Sequence, residues 1–173
     1  MATKSSRRVA EKMPPSARPG DPEYYRGDAY PLGDSVGFLL RQVRLQMERA
    51  IDAEMSELDL TDAQWGPLLM IAHGKGDNAA ELARFGCIDT GAMTRMLDRL
   101  EAKGLLRRAR CPNDRRVVRL ELTEEGRRLC RLIPYGLSRV LNGMLHDFTP
   151  AEHETLRKLT RRMLANLGPA GNG

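Results

Sequence analysis

Aromatic side chains are scarce in this sequence, at 5% of its 173 residues. We therefore expect a core of Leu, Met and Val packed between helices. No apolar run approaches the roughly 20 residues that a membrane-spanning helix needs. Basic residues occur near the N-terminus without an apolar stretch behind them, so neither a membrane protein nor a secretory signal is expected.

Residues that carry catalysis or bind metals are equally sparse. The three cysteines, at positions 87, 111 and 130, have no metal-ligand spacing, and an odd number does not make a disulfide framework. The three histidines are scattered, so no Cys/His cluster forms. There is no Gly-rich phosphate loop after a strand and no nucleophile elbow. The sequence thus predicts no enzyme, no metal site and no cofactor, and it favours the reducing cytoplasm.

Positive charge, by contrast, is plentiful and unevenly placed. Residues 1–20 carry a net charge of +4, and residues 95–131 hold twelve Arg and Lys against six Asp and Glu. The rest of the chain is net acidic, because the whole chain carries +5. This asymmetry indicates a polyanionic partner such as nucleic acid. The alternative is an arginine-rich face that is simply solvated.

Apolar residues recur at helical spacing in six segments, most of them opened by a local capping signal. The first covers residues 34–58, the fourth about 89–103, and the others are expected to begin at Thr61, Asn78, Thr123 and Thr149. Pro134 should kink the fifth helix. Residues 1–32 are predicted to be a mobile extension in which Tyr24, Tyr25 and Tyr30 could dock onto the fold, and residues 168–173 a frayed tail.

A basic hairpin interrupts the helical patterns. The segment CPNDRRVVRLELT combines a turn with a strand, and a short basic stretch, LLRRAR, precedes it. Like charges that are close repel, so something outside the chain should offset these arginines. The order is four helices, a hairpin and two further helices. Two short helices joined by a tight Gly-containing turn and followed by a hairpin make a winged helix-turn-helix, so the predicted fold is mainly α with a small β-hairpin. A major groove about 12 Å wide admits one helix of such a domain.

Residues 78–126 resemble the core of the multiple-antibiotic-resistance regulator (MarR) family. The matching parts are ELA, LDRLEAKGLL, and a wing that reads D-x-R followed by five residues and L-T. The resemblance implies a domain over 33–167, with the winged helix-turn-helix at about 61–123 and dimerisation helices at about 34–58 and 124–167. It also implies a homodimer that binds a pseudo-palindromic operator in double-stranded DNA, in most such cases as a repressor. The wide apolar stripes of the terminal helices independently favour a dimer.

The resemblance also implies roles for single residues. The fourth helix would be the recognition helix, with Thr90, Gly91, Met93, Thr94 and Arg95 near base edges or phosphates. Arg116 would enter the minor groove, and Asp114 would orient it through an ion pair. The remaining hairpin candidates for phosphate contact or wing packing are Arg107, Arg108, Arg115 and Arg119.

Members of this family commonly respond to small anionic or phenolic molecules, so an aromatic carboxylate or phenolic effector is expected. It would lie between the dimer region and the DNA-binding lobe, with Arg41 and Arg44 on its carboxylate, Trp65 on its ring and His73 as hydrogen-bond donor. Each residue also has a structural interpretation: Trp65 as core, His73 as a helix C-cap, and the arginines as solvated.

Two other functions stay open at this point. Oxidation of Cys87, before the recognition helix, or of Cys111, at the wing tip, could disturb DNA contact in a redox sensor. The winged helix could also bind protein instead of DNA.

Overall fold

The computed structural model describes residues 22–110 and 118–168. These residues form a 3-10 turn, six α-helices and one two-stranded antiparallel sheet, which confirms the predicted fold class. The elements are α1 (Val36–Ser56), α2 (Asp62–Ala72), α3 (Ala79–Gly86), α4 (Thr90–Ala102), β1 (Leu106–Arg110), β2 (Val118–Leu122), α5 (Glu124–Met144) and α6 (Pro150–Leu167). The described residues divide into two compact units, a first unit that ends at Val43 and a second that begins at Arg44.

In the first unit, two tyrosines bind the start of α1. The Tyr30 hydroxyl donates to Oγ of the buried Ser35 at 2.9 Å, and the Val36 amide donates to the Tyr25 hydroxyl at 2.9 Å. The two rings contact each other, with centroids 5.8 Å apart. Tyr24 is exposed. From Tyr25 onward the predicted extension is therefore attached to α1, while residues 1–21 of that extension lie outside the described residues.

Local capping signals set the helix starts where the sequence predicts them. The Thr61 amide donates to Gln64 Oε1 at 3.1 Å, and the Asn78 side chain accepts from the Glu81 amide at 3.0 Å. Thr149 and Glu152 form a reciprocal capping box ahead of α6, with Pro150 at its first position. Helix α5 continues through Pro134 to Met144, and the kink expected at Pro134 stays a prediction.

The core of the second unit is aliphatic, as the scarcity of aromatics predicts. The core is formed by side chains from four helices and one strand: α2, α3, α4, α5 and β1. The side chains that are almost completely buried include Leu68, Leu82, Leu97, Leu100, Leu106 and Ile133. Trp65 packs against this cluster and is partly buried. The cluster holds the helix-turn-helix and the hairpin as one body.

One face of the hairpin carries its leucines and Arg108, and the other, the charged face, carries Arg107, Arg119 and Glu121. Its register pairs Leu106 with Leu122 and Arg107 with Glu121. Because strand residues alternate between faces, Leu106, Leu120 and Leu122 all point into the core. The Leu120 amide also donates to the Asp77 carbonyl at 2.8 Å, which ties β2 to the loop before α3.

Helix α5 begins in direct contact with the turn between α4 and β1. Thr123 Oγ1 donates to the Gly104 carbonyl at 2.7 Å and accepts from the Gly126 amide at 3.0 Å. A Cβ at position 126 would lie 1.9 Å from the Leu105 carbonyl oxygen, so only glycine fits there. The start of the predicted dimerisation region is thereby fixed to the winged part.

Helix α6 has no buried residue. Its exposed apolar side chains are Leu156, Leu159, Met163, Leu164 and Leu167. A groove of about 550 Å³ separates it from the last turns of α5. Among the described residues, no helix combines the length and the hydropathy needed to cross a bilayer.

Candidate nucleic-acid interface

A tight turn joins α3 to α4. Cys87 ends α3 in the left-handed conformation, with φ of 52°, and the Ile88 amide returns to the Ala83 carbonyl at 3.0 Å. Asp89 then caps α4, because its side chain accepts from the Ala92 amide at 2.8 Å. Only three residues, 87–89, separate the two helices, which gives the compact helix-turn-helix that the sequence predicts.

The exposed side of α4 carries four of the five contact residues predicted for this helix. Thr90, Gly91, Thr94 and Arg95 are all exposed. Met93, however, is completely buried among the core leucines. Its assignment to the DNA surface is wrong, because position 93 falls on the same helical stripe as the buried Leu97 and Leu100.

The first turn of α4 presents small and polar groups together. The Thr94 hydroxyl donates to the Thr90 carbonyl at 2.9 Å, which leaves its oxygen able to accept a hydrogen bond. A Cβ at Gly91 would lie 3.1 Å from Asp89 Oδ1 and 3.5 Å from Arg95 Nη1. The missing side chain therefore leaves room for the cap and for the Arg95 guanidinium.

Arg99 is an exposed basic residue that sequence reasoning missed. It lies one turn after Arg95 on the same side of α4, because residues four apart are neighbours on a helix. Applying the helical period to the whole helix, beyond the part that carries the family motif, would have found it.

Three arginines of the hairpin, Arg107, Arg108 and Arg119, pair with carboxylates of the same chain. Arg107 Nη2 lies 2.7 Å from Glu121 Oε2 on the charged face of the hairpin. Arg119 Nε lies 3.2 Å from Asp77 Oδ2. Both pairs are solvent-exposed, so each contributes little to stability and can be exchanged for a phosphate contact.

Arg108 connects β1 to α4. Its Nη2 lies 2.6 Å from Asp98 Oδ1, its Nη1 bonds Glu101, and its backbone amide donates to Glu101 Oε1 at 3.1 Å. The hydrogen bond to Asp98 and the neighbouring Glu101 raise the pKa of the Arg108 guanidinium, against the effect of partial burial. Of its two expected roles, wing packing is the one that this geometry supports.

The hairpin tip carries the other predicted contacts. Asp114, Arg115 and Arg116 lie outside the described residues, as does Cys111. Their roles stay predictions.

The four residues expected to bind an effector are distributed over both units. Arg41 is exposed in the first unit, and Arg44 pairs with Glu48 at 3.2 Å. Trp65 Nε1 donates to Asp62 Oδ1 at 3.1 Å while its ring packs on the core. His73 is the C-cap residue of α2 and lines a cavity that Arg44 and Trp65 do not line.

The cysteines of the described residues differ in exposure. Cys87 is exposed, whereas Cys130 is half-buried and donates to the Leu68 carbonyl at 3.5 Å. Burial raises the pKa of the Cys130 thiol. Within the described ranges, no group of His, Cys, Asp and Glu side chains could hold a metal ion.

The sequence matches the MarR family over residues 60–118. It is 34% identical over 130 residues to the multiple antibiotic resistance protein MarR of Escherichia coli, an alignment that covers 75% of this chain and 90% of that protein. The chain belongs to the MarR family.

Solved structures of relatives share this fold. A cysteine-to-serine mutant of Escherichia coli MarR complexed with operator DNA superposes with a TM-score of 0.70 at 30% identity, over 79% of this chain and 99% of that one. Bordetella bronchiseptica BpsR, described in terms of regulation of its DNA binding by 6-hydroxynicotinic acid, superposes with a TM-score of 0.70 at 25% identity, over 78% of this chain and 96% of that one. The resemblance stated from the sequence is thereby confirmed, and the protein is a winged-helix transcription regulator.

Proposed function

We propose that this MarR-family protein binds a pseudo-palindromic operator as a homodimer and represses transcription until a small aromatic acid releases it. The observation that carries the proposal is the exposed side of α4, where Thr90, Gly91, Thr94 and Arg95 stand beside a basic hairpin. The operator complex of Escherichia coli MarR supports it.

Each exposed group of α4 has a defined chemistry toward DNA. Threonine hydroxyls bind phosphates or base edges, and an arginine binds guanine O6 and N7 through two hydrogen bonds. Arg95 and Arg99 supply two such groups one turn apart. Gly91 lets the duplex approach the helix backbone closely. We assign α4 to the major groove, with Arg107 and Arg119 at flanking phosphates and Arg116 in the minor groove, oriented by Asp114.

An aromatic acid is the effector class that the family favours. 6-Hydroxynicotinic acid, which the BpsR structure names as a regulator of DNA binding, is a hydroxylated aromatic carboxylic acid. Arg41, Arg44, Trp65 and His73 remain our proposed contacts for such a ligand in this chain. The repressor assignment follows the commoner behaviour of the family.

The test compares Arg95→Ala with a matched surface variant, Arg128→Ala. Arg128 lies on α5 in an exposed pair with Glu125. DNA upstream of the protein's own gene and of neighbouring divergent genes is titrated against random duplex by fluorescence anisotropy at several salt concentrations. We expect Arg95→Ala to weaken operator binding by about tenfold or more, since a bidentate base contact contributes roughly 1–3 kcal/mol. Arg128→Ala should match the wild type.

The proposal fails if the wild type distinguishes none of these fragments from random DNA. A total absence of salt-dependent binding would favour the protein-binding winged helix instead. Equal losses for Arg95→Ala and Arg128→Ala would contradict the assignment of α4 as the reading helix.

A further inference from the structure

The basic residues near the N-terminus have no part in the function proposed so far. Residues 1–20, the basic tail, carry a net charge of +4 and contain no Leu, Ile, Phe, Tyr or Trp. Charge is therefore what the tail offers a partner, because it has little apolar surface to bury. Its five basic residues are Lys4, Arg7, Arg8, Lys12 and Arg18.

The chain that follows the basic tail is attached to α1. The Val36 amide donates to the Tyr25 hydroxyl, and the Tyr30 hydroxyl donates to Ser35 Oγ, each at 2.9 Å. Residues 1–21 could span at most about 75 Å beyond this attachment, more than twice the roughly 30 Å diameter of a small domain. A tether of that length can reach DNA at α4 and the hairpin without requiring one particular arrangement of the two units.

The acidic part of the same chain could compete for the tail. Six Asp and Glu residues lie within residues 48–62. Three of them form ion pairs with cations of the folded chain, namely Glu48 with Arg44, Glu54 with Arg139, and Asp59 with Lys103. Asp52 accepts from the Asp62 amide at 2.9 Å, and Asp62 accepts from the Trp65 indole at 3.1 Å. A tail cation that displaced a paired cation would leave that cation unpaired, so binding to this surface gains little.

The other strongly basic part of the chain cannot hold the tail by itself. Residues 95–131 include most of α4, the hairpin and the start of α5, and they carry the same sign of charge as the tail. Duplex DNA carries one negative charge per about 1.7 Å of its axis, also beyond the bases that one helix reads. A duplex bound at α4 therefore replaces this repulsion with attraction.

We propose that the basic tail binds the phosphate backbone of the DNA that α4 and the hairpin hold. This inference rests on the proposed DNA-binding function and adds a second contact to it. Lys and Arg on phosphates carry no base-sequence information. Because the tail is tethered to the bound protein, its binding is intramolecular and adds to the overall affinity. The tail thus strengthens binding to operator and to random duplex by the same factor.

The test removes the charges of the tail from the full-length protein. The neutralised variant combines Lys4→Gln, Arg7→Gln, Arg8→Gln, Lys12→Gln and Arg18→Gln. Its binding to the DNA upstream of its own gene and to a random duplex of equal length is measured by fluorescence anisotropy between about 50 and 200 mM salt. We expect the affinity for both duplexes to fall by about tenfold or more at the lowest salt, while their ratio stays as in the wild type.

The salt dependence supplies the second readout. Each phosphate contact contributes about 0.9 to the slope of log affinity against log salt concentration. A two-fold dimer has two tails, so even one contact per tail should make the slope of the neutralised variant smaller by about two.

A scrambled tail is the matched control. It keeps the composition and the charge of residues 2–20 but changes their order. It should bind both duplexes like the wild type, because counterion release depends on the charges and not on their order. Circular dichroism and sedimentation velocity first establish that the three proteins are folded and associate alike.

The proposal is overturned if the neutralised variant binds both duplexes like the wild type. A higher affinity of that variant would also overturn it and would assign the tail to the acidic surface of its own chain. Loss of binding by the scrambled variant would contradict a purely electrostatic contact. Tail-dependent binding to phosphatidylserine vesicles with unchanged DNA affinity would assign the tail to an anionic membrane instead.

The same titrations distinguish this proposal from the proposed function. Tail-dependent binding of random duplex without preference for the operator supports the tail contact and contradicts the proposed function. Preference for the operator, with the same affinity and salt slope in the neutralised variant, does the reverse.

Discussion

At the scale of single residues, the sequence shows the charges of the hairpin arginines but not the carboxylates with which they pair. The pattern reveals the positive charges and leads to the expectation that a partner outside the chain offsets them. In the structure, Arg107, Arg108 and Arg119 meet carboxylates from four distant positions: Asp77, Asp98, Glu101 and Glu121. These pairs depend on strand register and on how the hairpin docks against α4, and neither can be read from residue order. That expectation was therefore incomplete.

Arg108 and Arg95 should respond differently to removal of their side chains. Arg108→Ala removes the side-chain contacts of β1 with Asp98 and Glu101 but keeps the backbone hydrogen bond to Glu101, so we expect a loss of about 1 kcal/mol of stability for these partly exposed pairs. Hydrogen exchange of the hairpin amides should become faster. DNA affinity should fall while its salt dependence stays as in the wild type, because no phosphate contact is lost.

Arg95→Ala is the comparison, measured by the same anisotropy titrations. If Arg95 binds a phosphate, its loss should lower the slope of log DNA affinity against log salt concentration by about one. A lower slope for Arg108→Ala, together with unchanged hydrogen exchange, would show that Arg108 binds DNA directly and does not position the hairpin.

At the scale of elements, helix starts were predictable and close contacts between elements were not. A cap involves residues three apart, so Thr61 with Gln64 and Thr149 with Glu152 are visible in the sequence. The prediction for Met93 is wrong because it transfers the family motif residue by residue. The motif covers consecutive positions of α4, whereas the helix buries only every third or fourth side chain. Gly126 shows the other limit, since its role depends on a carbonyl twenty-one residues earlier in the chain.

Gly126→Ala should strongly destabilise the protein. The new Cβ would lie 1.9 Å from the Leu105 carbonyl oxygen, a backbone atom that cannot move without displacing β1. We expect a loss of about 3 kcal/mol in the free energy of unfolding, at the upper end of what overpacking costs. Urea unfolding followed by circular dichroism at fixed protein concentration measures it.

Gly143→Ala is the control in the same helix. No atom lies within 4 Å of a Cβ built there, so alanine should be neutral or should stabilise by up to about 1 kcal/mol through helix propensity. Equal unfolding midpoints for the two variants would mean that the start of α5 does not press on the α4–β1 turn.

At the scale of the whole molecule, the excess positive charge lies on one part of the fold, and apolar stripes remain exposed to solvent. The basic segment 95–131 coincides with α4, the hairpin and the first turns of α5, which is where a DNA-binding domain needs it. The stripe of α6 was predicted from its spacing, and the structure leaves that stripe exposed on a single chain. Sequence periodicity identifies an apolar face but not what covers it. The family and the exposed stripe together support the proposed homodimer.

Leu159→Asp should therefore dissociate the dimer. Burying the exposed part of one leucine stabilises the dimer by on the order of 1 kcal/mol. A two-fold dimer contains the substitution in both subunits, so this loss counts twice. The monomer–dimer dissociation constant should rise by at least about thirtyfold, more if the carboxylate is buried. Ala165→Asp places the same charge on the opposite side of α6 and should leave the association unchanged. Sedimentation velocity over a range of concentrations measures both. A wild-type protein that sediments as a folded monomer at micromolar concentration and still binds operator DNA would show that the stripe of α6 has another partner.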